Sequence, residues 1–260
     1  MYSILVNSTD RYSDCWHPFF YLLKKNFNDL SCPVYLNCEN KSFDYDGISI
    51  QMIRNSKKFT WSQCLMNAIQ HINSPIILYL QDDYFLDALV DKKSIDDFIK
   101  LMIENPEIKH IGLTKIGSPA SPAEYTKDKR LKIIKQNTKY RISMQAALWD
   151  KDCLLSYLQS DENAWMLEIF GSRRAAKRKD LFLTISDSYY SNIGVINYIG
   201  TGIIKGKWHK DIPEFFNREN IVMDFSIRGI IDPNKNVFLN KFLTLRKLLS
   251  KPSKIKYFFK

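Results

Sequence analysis

The sequence predicts an α/β fold built on a doubly wound sheet, and three observations predict it. Strand-length apolar runs alternate with amphipathic helical stretches over residues 3–86. The run PIILYL (75–80) is apolar on both faces, as a central parallel strand is. Each of the first three predicted strands also stops at a polar cluster: Thr9-Asp10-Arg11, Glu39-Asn40 and Asp82-Asp83. Open α/β sheets bind ligands beyond the carboxyl ends of their strands, so the three clusters are expected to share one crevice.

The first strand is SILVNS, Ser3 to Ser8, and a helix follows from Trp16 to Phe27 with Pro18 in its first turn. CPVYLNCEN supplies the second strand. Thr60 and Gln63 have capping-box spacing, and Trp61, Leu65, Ala68, Ile69 and Ile72 form one apolar helical stripe. Asn73-Ser74-Pro75 breaks that helix before the third strand. SIDDFIKLMIEN is expected to be a helix capped by Ser94, IKHIGLT a strand, and SPASPAEYTKDKR a loop. YRISMQAALW alternates Tyr140, Ile142, Met144, Ala146 and Leu148 against smaller or polar residues and reads as a strand. KDCLLSYLQS and NAWMLEIFGSRRAAKRK read as helices, LFLTIS as a strand, and VINYIGTGIIKGKW as a hairpin about Gly200-Thr201-Gly202. No internal repeat or low-complexity segment is visible. The expected organisation is one domain over 1–232, divided into halves 1–90 and 91–232, with an extension over 233–260.

That extension is basic and amphipathic. Phe238, Phe242, Leu245 and Leu249 form a broad stripe flanked by Lys241, Arg246 and Lys247, and no acidic residue follows Asp232. Such a helix can lie on an anionic membrane face, or pack on a core with its charges in water. The net charge is +10, and a second basic cluster holds Arg173, Arg174, Lys177, Arg178 and Lys179, so anionic partners are expected. Five cysteines without a C-x-x-C pair fit reduced thiols, and no apolar run has the roughly 20 residues needed to span a bilayer. A cytoplasmic protein, peripheral on the inner membrane face, is the expectation.

Asp82 and Asp83 carry the chemistry. A buried carboxylate stays ionised only with a partner. At a strand's end that partner can be Mg²⁺ or Mn²⁺, which accept one or two carboxylates plus the oxygens of a substrate phosphate. The bland alternative is a polar turn.

The order of elements resembles glycosyltransferases of the GT-A fold, most of all the bacterial enzymes related to family 2. In that fold the third strand of the nucleotide half ends in D-x-D. Here Gln81, Asp82 and Asp83 fall on that motif, with Gln in place of the first Asp. By resemblance Asp83 meets the metal on the nucleotide diphosphate, while Gln81 and Asp82 bind the donor. QAALW followed by W-x-x-E (165–168) resembles the acceptor half of enzymes that build bacterial surface polysaccharides: O-antigen, capsule or lipooligosaccharide. The resemblance puts Glu168 on the catalytic base, with Ile169 where a second acid is usual. Read as residues, Trp165 can offer a flat face to an acceptor sugar or be a core aromatic, and Arg173 and Arg174 can bind an acceptor's phosphate or form a solvated basic face. Thr9, Asp10, Arg11 and Glu39 fall on nucleotide contacts, Lys207 on the diphosphate and His209 on the metal. The implied activity moves a sugar from a nucleotide-sugar, such as a UDP-linked one, to a saccharide acceptor, lipid-linked by expectation, with inversion and with Mn²⁺ or Mg²⁺. Two rivals are weighed. A nucleotidyltransferase would show a Gly-rich first loop, and NSTDRYSD has no glycine. A non-catalytic nucleic-acid-binding module would use the basic tail, but no nucleic-acid motif is present and no nucleic-acid partner is expected.

Overall fold

The computed structural model describes residues 1–117, 123–191 and 193–233. Two compact units divide the chain at Tyr198/Ile199. The first is built on a mixed nine-stranded sheet. Its amino-terminal half runs β1 (Tyr2–Asn7), α1 (Trp16–Asn26), β2 (Val34–Cys38), β3 (Ile50–Arg54), α2 (Trp61–His71) and β4 (Ile76–Gln81). The remainder runs α3 (Lys92–Glu104), β5 (Ile108–Gly112), β6 (Ala123–Glu124), β7 (Leu131–Ile133), β8 (Ala147–Asp150), α4 (Lys151–Tyr157), α5 (Ala164–Met166), α6 (Ser172–Ala175) and β9 (Leu181–Ile185). The strand order is β3-β2-β1-β4-β8-β5-β9-β7-β6.

The first four strands in that order are mutually parallel, and β8 is antiparallel to both β4 and β5. Six consecutive buried residues in β1 and five in β4 mark them as central strands. α2 begins where its capping box predicts: Thr60 Oγ1 accepts the Gln63 N–H at 3.2 Å and Gln63 Oε1 accepts the Thr60 N–H at 2.8 Å. Leu65 and Ile69 of that helix pack with Tyr79, Trp149, Leu154 and Phe182 in the main core.

Several elements differ from expectation. β3 is an added edge strand whose side chains, Ile53 excepted, are partly or fully exposed, so no strong apolar alternation marks it. α3 is capped by Asp91, which accepts the N–H and hydroxyl of Ser94 at 3.0 and 2.6 Å, rather than by Ser94 itself. Of the segment 140–149, residues 147–149 lie in β8 and 140–146 are irregular. Ile142, Met144 and Ala146 are buried, but Tyr140 is exposed and Arg141 and Ser143 are buried as well, so the expected two-residue alternation does not hold. The N–H groups of Ile142, Met144 and Ala146 go to side chains of Ser172, Glu168 and Tyr198 instead of a neighbouring strand. The helix expected over 163–179 ends earlier: α5 passes through a π-helical turn, Leu167–Gly171, into α6.

The second unit contains β10 (Ile203–Ile204), β11 (Lys207–His209), α7 (Ile212–Arg218) and β12 (Ile230–Ile231), with Trp208 and Phe216 in edge-to-face contact. Its hairpin turns at Lys205-Gly206, not at Gly200-Thr201-Gly202, and both turn residues have positive φ, +52° and +80°. No helix among the described residues is long and apolar enough to cross a membrane. The amphipathic helix expected over 236–250 lies outside the described residues.

Candidate active site

Asn7 and Gln81 are register partners at the carboxyl ends of the adjacent parallel strands β1 and β4, which sets the Asp82-Asp83 pair on the sheet's rim. Both carboxylates are buried. Trp16 Nε1 donates to Ser8 Oγ at 2.6 Å, and Ser8 in turn donates to Asp82. Burial first, then the neighbouring Asp83, drives the Asp82 carboxyl well above the usual range. A cation against this pair would remove that penalty. Among the described residues no three His, Cys, Asp or Glu side chains gather as a metal cage. Two carboxylates completed by phosphate oxygens are what Mg²⁺ or Mn²⁺ take at nucleotide sites, so the donor set fits such an ion.

Glu168 sits in the π-helical turn and reaches the same rim through one residue, Met144. The Met144 N–H donates to Glu168 Oε1 at 2.8 Å. The Met144 carbonyl accepts from Gln81 Nε2 at 3.1 Å and from the Tyr84 hydroxyl at 2.9 Å. Tyr84 is stacked face to face on Tyr198, ring centroids 4.5 Å apart. Burial raises the Glu168 carboxyl above its ordinary value, opposed by the Met144 N–H. Ser143 and Gln145, either side of Met144, line a small hollow with His110, Gly112, Thr114 and Thr184.

A row of amides extends the rim to the sheet edge. Asn67 Nδ2 donates to Asn55 Oδ1 (3.0 Å), Asn55 to Asn37 (3.2 Å), Asn37 to Asn7 (2.8 Å), and Asn7 to the Tyr79 hydroxyl (3.2 Å). Sequence reasoning passed over this row. Its signal was present in SILVN and VYLN, two predicted strands that each reach asparagine near their ends.

The structure gives the other candidates distinct settings. Thr9 caps the short 3₁₀ helix Asp10–Cys15 by accepting the Arg11 N–H, and Arg11 is exposed. The Asp10 carboxylate accepts the N–H groups of Glu39, Asn40 and Lys41 at 2.9, 2.8 and 3.0 Å, while Glu39 accepts the Asp10 N–H. Asp10 and Glu39 thus tie the β1 and β2 loops to each other. Trp165 is partly exposed one turn before Glu168, and Arg173 is partly exposed beyond it. The basic cluster is partly internal: Arg174 forks onto the fully buried Glu162 at 2.8 and 2.6 Å, and Arg178 pairs with Asp180 at 2.7 Å. Lys207 and His209 belong to the second unit, where Lys207 is exposed and His209 Nδ1 lies 3.3 Å from the Asp211 N–H.

No family model and no curated protein matches the sequence. Solved structures do. S. aureus TarS 1-349 in complex with UDP-GlcNAc superposes with a TM-score of 0.50 at 11% identity, over 78% of this chain and 59% of that one. The fold is GT-A. This chain therefore spans about three-fifths of the TarS structure. Lower-scoring likenesses include the mannosyltransferase PcManGT from Pyrobaculum calidifontis in complex with GDP-Man and Mn²⁺ (TM-score 0.47, 10% identity, 70% and 54% covered). A cytidylyltransferase from Leptospira borgpetersenii scores 0.40 at 15% identity, with 70% and 72% covered. Within this GT-A sheet the Asp82-Asp83 pair closes the innermost parallel strand, beside the first antiparallel one, β8.

Proposed function

We propose that the protein is a glycosyltransferase that moves a sugar from a nucleotide-sugar to a saccharide acceptor, with inversion and with Glu168 as the base. The observation that carries this reading is the double use of Met144, whose N–H holds Glu168 and whose carbonyl holds Gln81, next to the paired aspartates. One peptide residue thereby fixes a carboxylate base relative to the anionic strand end. In the proposed step the acceptor hydroxyl loses its proton to Glu168 as its oxygen bonds the anomeric carbon. The bond from that carbon to the diphosphate oxygen breaks, and its electron pair leaves with the diphosphate. Asp83, with Asp82 beside it, would hold Mn²⁺ or Mg²⁺; when bound, such an ion stabilises the charge accumulating on the leaving diphosphate. Arg11 and the loops tied by Asp10 and Glu39 flank the nucleotide. Trp165, Arg173 and the hollow beside Met144 supply the acceptor side. A lipid-linked saccharide at a membrane face, within cell-surface polysaccharide assembly, agrees with the W-x-x-E pattern and the basic tail.

The test is a panel of nucleotide-sugars headed by UDP-GlcNAc, scored by thermal stabilisation with and without Mn²⁺ and then by calorimetry. Metal-dependent binding that Asp83→Asn abolishes is the expected result. A panel that leaves the melting temperature unmoved, with or without metal, defeats the proposal.

A further inference from the structure

The second unit carries an apolar loop whose side chains stand in water. Residues 221–231 read IVMDFSIRGII. Phe225 anchors the loop from within, its ring centroid 5.7 Å from Trp208 and 6.1 Å from Phe216. Backbone bonds hold both ends: the Ile221 N–H donates to the Phe216 carbonyl at 2.8 Å, the Gly229 N–H to Phe225 at 2.9 Å and the Trp208 N–H to Gly229 at 3.0 Å. Yet Val222 and Ile227, on either side of that anchor in sequence, are 98% and 79% exposed, and Ile230 is 50% exposed. Apart from the terminal Met1, no large apolar side chain among the described residues is more exposed than Val222 and Ile227. A tied loop that keeps aliphatic side chains in water marks a contact surface.

The charge beside it is positive. Arg228 Nη1 reaches the Gly206 carbonyl at 3.4 Å, which brings it to the turn that carries the exposed Lys205 and Lys207. Ile230 is the register partner of Trp208 next to that turn. The one acid of the loop, Asp224, has an oxygen engaged by the N–H and hydroxyl of Ser226, at 2.9 and 2.6 Å. Beyond β12 the chain enters the stretch after Asp232, which holds eight Lys or Arg and no acid. Bases stack on aromatic rings, and protein hot spots favour Trp and Tyr; here the aromatic Phe225 and Trp208 face the unit's interior and the exposed groups are aliphatic. Aliphatic side chains beside Lys and Arg suit the headgroup layer of an anionic bilayer, where one weak signal alone gives only marginal binding.

We propose that the turn at Lys205–Lys207 and the loop 222–230 form a membrane-contacting face, with Val222 and Ile227 entering the headgroup layer of an anionic bilayer and Lys205, Lys207 and Arg228 meeting its phosphates. The loop supplies the apolar signal and the acid-free tail adds charge. The proposal is independent of the glycosyl-transfer reading, to which it adds only the surface on which a lipid-linked acceptor lies.

Co-sedimentation of the full chain tests the face, with vesicles of phosphatidylcholine plus phosphatidylserine and vesicles of phosphatidylcholine alone. The wild type is expected to pellet with the anionic vesicles only. The double variant Val222→Ser, Ile227→Ser keeps every charge of the unit and the tail, and its partition is expected to fall at least about tenfold, with an unchanged melting temperature because both side chains are exposed. Ile227→Trp, a residue suited to the headgroup layer, is expected to bind at least as tightly as wild type. A serine variant that pellets like wild type overturns the proposal and leaves the binding to the tail alone, as does an Ile227→Trp variant that no longer pellets. Equal pelleting of the wild type with both vesicles refutes the part given to the cations. A wild type that ignores both vesicles overturns the proposal as well; if it dimerises in sedimentation velocity and the serine variant does not, the face belongs to a second copy of the chain. No readout here needs a nucleotide-sugar, so vesicle binding by a protein that ignores every nucleotide-sugar would sink the transfer reading and leave the face standing.

Discussion

Asp10 stands where the GT-A resemblance puts a nucleotide contact, yet its carboxylate is fully engaged with three backbone N–H groups. Replacing it with Asn keeps the shape and turns one oxygen into a donor facing donors. Three bonds to a charged acceptor, at about 1.5–3 kcal/mol each, would sum to about 5–9 kcal/mol if independent and buried. Asp10 is partly exposed and two oxygens serve all three bonds, with water ready to replace them. The expected cost of Asp10→Asn is therefore about 2–3 kcal/mol. For a domain of this size that is a fall in Tm of about 5–10 °C. Burial pushes the Asp10 carboxyl up, but the backbone N–H groups outweigh it and hold the pKa below the ordinary 3.8. A depressed pKa contributes stability that is present above 3.8 and lost as pH falls through the lower, folded-state value. The Tm difference between wild type and Asp10→Asn should accordingly narrow below that pH. Affinity for UDP-GlcNAc with Mn²⁺ should change by less than about threefold, under 0.7 kcal/mol. A variant that melts like wild type but loses the nucleotide would show that Asp10 serves the ligand and that the loop-tie argument is wrong.

Glu168→Gln is expected to leave donor binding intact and cut kcat at least about a hundredfold. A base must be deprotonated, and burial raises the Glu168 pKa above the ordinary 4.5. The acidic limb of the wild-type pH–rate profile should thus lie above that value; a limb at or below it contradicts the assignment. Glu162→Gln strands Arg174 beside a fully buried neutral group and should cost about 3–5 kcal/mol in urea denaturation, whereas Lys177→Ala should cost almost nothing. Deleting residues 236–260 should release the protein from anionic vesicles in a sedimentation assay, and equal pelleting with and without the tail excludes that segment as the anchor.

The parallel half was legible because its signals are local. Thr60 and Gln63 announce α2 by spacing alone, and the apolar runs of β1 and β4 are long enough to exclude loops. β3 escaped because an edge strand with one buried residue carries no apolar alternation. The segment 140–146 misled in a more instructive way. Its apolar residues from Ile142 onward are buried, but Arg141 and Ser143 between them are buried too and Tyr140 is exposed, and burial does not say which partner takes the backbone. Here the partners are Ser172, Glu168 and Tyr198, at least 24 residues away in sequence.

That same misreading is where the candidate site lies. A regular strand through Met144 would have spent its N–H and carbonyl on a ladder, leaving nothing to hold Glu168 or Gln81. The irregular segment frees both groups, and the π-helical turn that carries Glu168 is the matching irregularity on the helix side. Sequence could name Asp82 and Asp83 because a charged pair ends an apolar run, and Gln81 and Glu168 through the GT-A resemblance. It could not name Asn7, Asn37 or Asn55, since an amide at a strand's end reads equally as a turn former. Their alignment requires the register of β1, β2 and β4 together with Asn67 from α2. The candidate carboxylates are few and charged, whereas the amides of the row are neutral and ordinary until the sheet is assembled.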